Sequence, residues 1–110
     1  MDDRERRISP ELALATYRIL QESLTNVSRH AAAKNVRIEV ESRSTELLLS
    51  VYDDGRGFEV GSMGNASGVG LAGMRQRADL VLGAVDIRSS PGEGTRVLFR
   101  APLSPEQTEL

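Results

Sequence analysis

Apolar side chains recur at intervals of three and four residues through the first third of the chain. This stripe consists of Ala13, Tyr17, Leu20, Leu24, Val27 and Ala31. Its spacing is that of one face of an α-helix. Ser9 in the N-cap position and Pro10 at the first helical position mark a helix start. The pattern predicts a helix from Pro10 to about His30, with Tyr17 in the core.

The apolar period then changes from three and four residues to two. Val36, Ile38 and Val40 alternate with charged residues, and a second alternating run ends near Asp53 after a polar turn over residues 42–45. Alternation of this kind is typical of half-buried strands, and a short polar connection favours an antiparallel hairpin.

The second half of the chain repeats the order of helix and hairpin after a loop at residues 59–67. Its helix is marked by Leu71, Met74, Ala78 and Val81, with Gly83 as the expected C-cap. Two further strands are centred on Val85 with Ile87 and on Val97 with Phe99, joined by a turn at Pro91–Gly94. This order predicts an α+β fold, a two-layer α/β sandwich whose mainly antiparallel sheet has one face covered by helices.

Length and composition limit the possible classes of protein. The 110 residues carry a net charge of −2, one histidine and no cysteine. They suit one soluble domain, without the basic field of a nucleic-acid binder, without disulfides and without a thiolate or histidine zinc site. No apolar run reaches membrane-spanning length. We expect a domain over residues 10–103, a flexible segment over 1–9 and a flexible tail over 104–110.

The first candidate for chemistry is a carboxylate and an amide one helical turn apart. Glu22 and Asn26 are separated by four residues, so they lie above one another on the helix, away from the predicted apolar stripe. An amide oxygen is a suitable ligand for Mg²⁺, and a carboxylate can order a water or accept a proton. The alternative is an ordinary solvated helix face.

The second candidate is the segment Asp53-Asp54-Gly55-Arg56-Gly57, which follows a predicted strand. The two glycines on either side of Arg56 allow a flat ligand to approach the backbone. A buried carboxylate beside them can accept a hydrogen bond from the exocyclic amine of adenine, where guanine presents an oxygen. The alternative is a simple Asp-Gly turn between two elements.

The third candidate, Gly68 to Gly73, matches the G-x-G-x-x-G dinucleotide fingerprint by its letters alone. A true fingerprint follows a strand directly and opens a parallel βαβ unit. This one follows a polar loop between strands predicted to be antiparallel, which argues against a nicotinamide-nucleotide site. Backbone N–H groups at the start of the next helix remain suitable for phosphate.

Together the three segments resemble the ATP-binding (Bergerat) fold shared by histidine kinases, gyrase, the Hsp90 chaperones and MutL, and Gly92–Thr95 extends the match. Residues 17–26 with Arg29–Ala31 are similar to the N box of sensor histidine kinases that partner LuxR-type response regulators. Residues 70–78 are similar to the G2 box of that branch. The resemblance covers residues 11–103 and implies a mixed, mainly antiparallel sheet.

The resemblance also implies a role for each matching position. Asn26 would ligate Mg²⁺, and Glu22 would position or activate a water or the attacking group. Asp53 would bind the adenine amine, and Thr95 would support the water network beside it. The other implied contacts with ATP involve Gly55 and Gly57 at the base and ribose, Gly68, Gly70 and Leu71 at the phosphates, and Arg29 and His30 facing the phosphates. Residues 58–67 would form a lid over ATP.

The resemblance implies a cytoplasmic ATP-binding catalytic domain of a two-component sensor histidine kinase. Its partners would be the dimerisation domain that carries the phosphoacceptor histidine and, downstream, a LuxR-type response regulator; neither nucleic acid nor membrane would contact it. The sequence shows no acceptor hairpin, so we expect ATP binding without autophosphorylation. Two alternatives are a free-standing protein serine kinase of the anti-sigma-factor type and a non-catalytic interaction module.

Overall fold

Two helices lie on one face of a four-stranded sheet in the computed structural model, which describes residues 8–57 and 70–103, apart from the side chains of His30 and Ala31. The elements are α1 (Pro10–Asn26), continued by a π-helical turn (Val27–Ala31), β1 (Val36–Ser42), β2 (Glu46–Asp53), α2 (Leu71–Leu80), β3 (Ala84–Ser89) and β4 (Thr95–Pro102). Three predicted segments lie outside the described residues: the lid at 58–67, residues 1–7 of the flexible segment predicted over 1–9, and the tail at 104–110.

The strands follow the order β1-β2-β4-β3, and each neighbouring pair is antiparallel. The register places Asp53 opposite Thr95, and Thr95 opposite Ser89, so these three residues form one row across the sheet. Paired residues share a face of the sheet, and this row belongs to the face that the helices cover. The predicted α+β architecture is confirmed.

The core lies between the helices and the three strands β2, β4 and β3. α1 contacts β2 and β4, α2 contacts β3 and β4, and the two helices contact each other. Phe99, Leu49 and Ile19 are completely buried there. Burying a side chain of this size contributes roughly 1.5–3 kcal/mol, so this layer is the main stabilising contact of the fold.

The buried face of α1 differs from the predicted one. Leu12, Ala15, Ile19 and Ser23 face the core, whereas Tyr17 is 57% exposed. Ser23 fits in the core because its hydroxyl donates to the carbonyl of Ile19 at 2.8 Å. The prediction was wrong because α1 carries apolar residues on two faces, and packing against α2 selects the face that includes this serine.

The first strand is also less buried than predicted. Val36, Ile38 and Val40 are 40–59% exposed, although they point to the helix-covered side of the sheet. Among the described strands, β1 lies at the edge of the sheet, and the main contacts of α1 and α2 with the sheet are on β2, β4 and β3. The alternation of apolar and charged residues was read correctly, but the prediction that this strand is half-buried was wrong.

The end of α2 departs from the expected glycine cap. Leu82, and not Gly83, adopts the left-handed conformation, with φ of 61°. The amide of Gly83 then donates to the carbonyl of Ala78 at 2.8 Å, which closes the end of the helix. Gly83 is needed for a different reason, because a Cβ there would press against the carbonyl of Arg100 in β4.

We predict that Leu82→Gly raises the free energy of unfolding by about 0.5–1 kcal/mol. The left-handed conformation costs a residue with a Cβ roughly 1–2 kcal/mol, and glycine removes that cost. The extra freedom of glycine in the unfolded chain offsets about 0.5–1 kcal/mol of this stabilisation. Leu82 is 83% exposed, so little packing is lost. Urea denaturation followed by circular dichroism measures the change.

Leu80→Gly is the matched control for this experiment. Leu80 is equally exposed at 83% but has helical geometry as the last residue of α2. Glycine there should lower stability by up to about 1 kcal/mol. If both variants lose stability to the same extent, the left-handed conformation of Leu82 carries no cost.

Candidate functional site

A buried carboxylate stands at the end of β2. Asp53 is only 4% exposed, and its Oδ1 accepts a hydrogen bond from the amide of Gly55 at 2.8 Å. This bond folds the chain back on itself directly after the strand, as an aspartate before a glycine commonly does. Asp53 continues the alternation of Leu49 and Val51, which explains why it points to the helix side of the sheet.

The turn after β2 interlocks with the turn between β3 and β4. A Cβ on Gly57 would collide with the carbonyl of Ser90, and a Cβ on Gly94 would collide with the carbonyl of Asp53. Both glycines have positive φ, 66° and 77°. The amide of Gly92 donates to the carbonyl of Arg56 at 2.6 Å and joins the two turns. The backbones therefore fix the surroundings of Asp53.

Two hydroxyl groups continue the row that begins at Asp53. Thr95 is opposite Asp53 in the register, and its Oγ1 lies 2.8 Å from the Oγ of Ser89. The Ser89 hydroxyl also lies 2.8 Å from the carbonyl of Gly94, to which it donates. Thr95 was predicted as a site residue and Ser89 was not. The spacing of Ser89 could have identified it, because Ser89 follows Val85 and Ile87 at intervals of two residues and therefore lies on the same face of β3.

A second cluster of predicted site residues lies where α1 meets α2. Gly70 is the N-cap of α2 with φ of 67°, and a Cβ on it would collide with the carboxylate of Glu22. One turn further along α2, the Sδ of Met74 lies 3.9 Å from the hydroxyl oxygen of Ser23. The structure thus brings the predicted N-box carboxylate against the start of the predicted phosphate-binding helix.

Asn26 occupies the junction between the α-helix and the π-helical turn Val27–Ala31. Its Oδ1 is fully withdrawn from solvent. π-helical turns are rare and frequently occur at functional sites. Asn26 and Glu22 lie on the same flank of α1, as their spacing predicted, and both are half-buried rather than solvated.

Asp54 organises the other side of the same turn. Its carboxylate accepts hydrogen bonds at 2.9 Å from the amides of Lys34 and Asn35 and from the Asn35 side chain. These bonds hold the pKa of the Asp54 carboxyl below its usual range, with the Asn35 side chain as the largest cause. Asp54 therefore ties the segment before β1 to the turn after β2, a role that the sequence did not reveal.

The other predicted site residues have different surroundings. Arg29, in the π-helical turn, lines a hollow with Tyr17 and Leu24, and Glu22 does not line it. Leu71 packs its side chain against the core, which leaves its backbone N–H as the group that can meet a phosphate. Gly68 and the side chain of His30 lie outside the described residues.

The donor groups fit a magnesium ion that is held mainly by a nucleotide. Within residues 8–57 and 70–103 no cluster of three or more histidine, cysteine or acidic side chains is present to hold an ion alone. Mg²⁺ commonly takes one or two protein oxygens and completes its shell with phosphates and water. The withdrawn amide oxygen of Asn26, one helical turn from Glu22, suits that arrangement.

Comparison with known proteins identifies the family of the domain. The sequence model described as "Histidine kinase-, DNA gyrase B-, and HSP90-like ATPase" matches residues 11–105. The chain belongs to this family. The architecture of the described residues agrees with that family, because two helices cover one face of an antiparallel sheet.

Named relatives and solved structures point to one branch of that family. The chain is 36% identical over 91 residues to the sensor histidine kinase LiaS of Bacillus subtilis, which covers 83% of this chain and 25% of LiaS. It is 31% identical over 101 residues to the histidine-protein kinase/phosphatase DegS of Brevibacillus brevis, covering 92% of this chain and 26% of DegS. The chain thus spans about a quarter of the length of these relatives.

The similar structures are also histidine kinase domains. The ATP-binding domain of PrrB from Mycobacterium tuberculosis superposes with a TM-score of 0.66 at 26% identity, over 86% of this chain and 68% of that one. The histidine kinase domain of the blue-light activated kinase EL346 of Erythrobacter litoralis gives 0.67 at 27% identity, over 84% and 45%.

We predict that Asp54→Ala lowers the stability of the domain in a pH-dependent manner. A carboxyl whose folded pKa is lowered contributes stability above its unfolded pKa, about 3.9, and loses it as the pH falls through the lower folded pKa. The difference between parent and variant should be full at neutral pH and shrink below about pH 4. Urea titrations over a pH series measure it.

Asp86→Ala is the matched control, because Asp86 is an exposed carboxylate that pairs with Arg88 at 3.0 Å on the surface. Exposed ion pairs contribute little to stability, so its loss should be smaller. Equal losses from the two variants at every pH would contradict the bridging role of Asp54.

Proposed function

We propose that this chain is the ATP-binding catalytic domain of a two-component sensor histidine kinase, which binds Mg-ATP and presents its γ-phosphoryl group to a histidine on another domain. The observation that carries the proposal is the buried Asp53 carboxylate beside Thr95, held between two interlocked turns. Family membership supports ATP as the ligand, and the position of Asp53 supports an adenine site at this end of the sheet.

Asp53 is suited to recognise adenine in this site. Its Oδ1 already accepts the Gly55 amide, so the carboxylate orientation is set before a ligand arrives. A carboxylate only accepts hydrogen bonds, and adenine offers an exocyclic amine where guanine offers a carbonyl oxygen. Gly55 and Gly57 allow base and ribose to lie close to the backbone, and Thr95 with Ser89 offers hydroxyls for bridging water.

The triphosphate would extend from the adenine site toward the junction of α1 and α2. Gly70 and the backbone N–H of Leu71 open a helix whose N-terminus attracts anions. Asn26 would hold Mg²⁺, which neutralises phosphate charge when bound. Glu22, whose carboxylate occupies the space that a Cβ on Gly70 would need, would position the attacking group or a water. The resemblance alone assigns Gly68, Arg29 and His30 to the phosphates.

The reaction would transfer the γ-phosphoryl group of ATP to a nitrogen of the acceptor histidine. A nitrogen of the acceptor imidazole forms a bond to the γ-phosphorus, the bond from that phosphorus to the bridging oxygen breaks, and ADP leaves. Such transfers depend on positioning and charge stabilisation rather than on covalent help from the protein. The side chains described here accordingly bind and orient.

The partners follow from this role. The phosphoacceptor histidine would belong to the dimerisation domain of the longer kinase, and a LuxR-type response regulator would receive the phosphoryl group from it. The domain would act in the cytoplasm. Within the described ranges, no helix is long and apolar enough to cross a bilayer. The relatives named above are histidine kinases, which favours this proposal over an anti-sigma-factor type serine kinase.

We predict that Asp53→Asn weakens ATP binding roughly 10- to 150-fold, the worth of a charged hydrogen bond of about 1.5–3 kcal/mol. Asparagine keeps an oxygen for the Gly55 amide and turns an NH₂ donor toward the adenine amine. Calorimetric titration with ATP and with GTP, each with and without Mg²⁺, measures the change. The parent should prefer ATP, and the variant should lose that preference.

Asp86→Asn serves as the matched control, since it removes a carboxylate on the opposite, solvent-facing side of the sheet. Its affinity for ATP should equal that of the parent. Unchanged ATP affinity in Asp53→Asn would refute the adenine assignment. If neither nucleotide bound the folded parent chain, the non-catalytic module would replace the kinase as the proposal.

We predict that Asn26→Ala removes most of the Mg²⁺ enhancement of ATP binding and leaves metal-free binding nearly unchanged. The reason is that only the amide oxygen of Asn26 would contact the ion. Gln21→Ala is the control, because it deletes an exposed amide from the other flank of α1. If magnesium enhances binding equally in both variants and the parent, Asn26 is not the ligand.

A further inference from the structure

Three arginines and one tyrosine form a single row across the sheet, here called the arginine row. The register pairs Arg37 with Tyr52, Tyr52 with Arg96, and Arg96 with Arg88. Paired residues share a face of the sheet, and these four residues lie on the face opposite the helices. All four are exposed. The arginine row contains no carboxylate, so it presents positive charge on that face.

Arg96 and Arg88 are a like-charge pair at directly opposed positions of β4 and β3. Opposed side chains have Cβ atoms about 4.5–5.5 Å apart, and like charges there destabilise a strand pair. Arg88 is partly compensated, because its Nε donates to the Asp86 carboxylate at 3.0 Å. Arg96 forms no ion pair with any other residue of the ranges 8–57 and 70–103. Local rules of this kind are broken mainly at functional sites, and an anionic partner would remove the repulsion.

The positive charge is confined to one end of this face. The adjacent row holds carboxylates, Glu39 on β1 and Asp86 on β3. Arg100 follows in the row after that, where its partners in the register are the uncharged Leu48 and Ala84. The whole chain has a net charge of −2. The arginine row is therefore a local basic feature of an acidic domain, and it lies at the end of the sheet where β2 ends.

Two shallow hollows give access to the paired arginines. One has a volume of about 310 Å³ and includes Tyr52 and Glu93 in its wall, together with Arg88 and Arg96. The other has a volume of about 190 Å³ and includes Asp86 with the same two arginines. Each hollow has a single carboxylate in its wall, so arginines outnumber carboxylates in both. Tyr52 adds an aromatic ring and a hydroxyl donor beside them.

The spacing of the arginine row suits carboxylates on one face of a helix. Guanidinium groups bind carboxylates through paired, charge-assisted hydrogen bonds. Neighbouring strands lie about 4.8 Å apart, which sets the step from Arg88 to Arg96. Acidic residues three or four positions apart on a helix lie about 5–6 Å apart, close to that step. The acidic balance of the whole chain disfavours a nucleic-acid partner.

We propose that the arginine row docks an acidic helix of a partner protein, with two carboxylates of that helix, three or four positions apart, bound by Arg96 and Arg88. Tyr52 contacts the helix beside them, and Arg37 attracts further negative charge at the other end of the row. The surface lies on the opposite face of the sheet from the candidate adenine site. The inference is therefore independent of the nucleotide chemistry proposed above.

Binding of a model helix to the full chain tests the proposal. The probe is an alanine-based helical peptide, acetylated and amidated, that carries pairs of glutamates at i and i+4. Its control carries lysines at the same positions. Backbone NMR titration without nucleotide should show saturable shifts around Tyr52, Arg88 and Arg96 with the glutamate peptide only. The affinity should fall with added salt, because the contacts join exposed charges.

Arg96→Gln should weaken binding of the glutamate peptide about three- to tenfold, because one of the two paired arginines is lost. It should not lower the urea midpoint of unfolding, since the opposed like charges disappear; a structural role for Arg96 would lower it. Arg100→Gln is the matched control: it removes an arginine from the same face of β4 and should leave peptide binding unchanged.

Four results of these titrations would overturn the proposal. They are equal binding of the lysine peptide, equal weakening by Arg96→Gln and Arg100→Gln, shifts confined to other surfaces, and no binding at millimolar peptide. Tighter binding of a single-stranded oligonucleotide than of the glutamate peptide at the arginine row would also overturn it, because the row would then belong to a nucleic-acid partner.

Discussion

Gly57 and Gly94 allow two turns to pack backbone against backbone at one end of the sheet. A side chain on either glycine would meet a carbonyl oxygen of the other turn or of Asp53. This contact fixes the end of β2 relative to the start of β4, and so sets Asp53 beside Thr95. The candidate adenine site depends on that constraint more than on any single hydrogen bond, because the turns determine where each bonding group stands.

A second contact relates this end of the sheet to the helices. Gly70 admits the Glu22 carboxylate at the start of α2, and Met74 meets Ser23 one turn later. Methionine fills irregular gaps because its side chain is flexible. The two helices thus share a seam in which the residues suited to phosphate and magnesium stand next to the core rather than on separate loops.

The sequence predicted the elements of this fold well, because its strands alternate strictly and its first helix has clear start signals. The motifs also singled out Glu22, Asn26, Asp53 and Thr95, whose roles at the site stay predictions. It misjudged the core face of α1, since Leu12 with Ile19 and Tyr17 with Leu24 are equally apolar rows, and the contact that chooses between them joins Ser23 to Met74 across 51 residues. The role of Asp54 was not predicted for the same reason, because its partners Lys34 and Asn35 precede it by 20 and 19 residues and are brought near only by folding.

The arrangement of the helices over the strands implies a gradient of local opening. β4 has a strand on each side and both helices above it, whereas β1 has one neighbouring strand among the described strands and no extensive contact with either helix there. Amide protons of β4 should therefore exchange only through global unfolding, and those on the outer edge of β1 through small local openings. The groups suited to adenine stand at the ends of the slowly exchanging strands. The base would meet a surface that is already ordered, and the entropy cost of binding would fall mainly on the ligand.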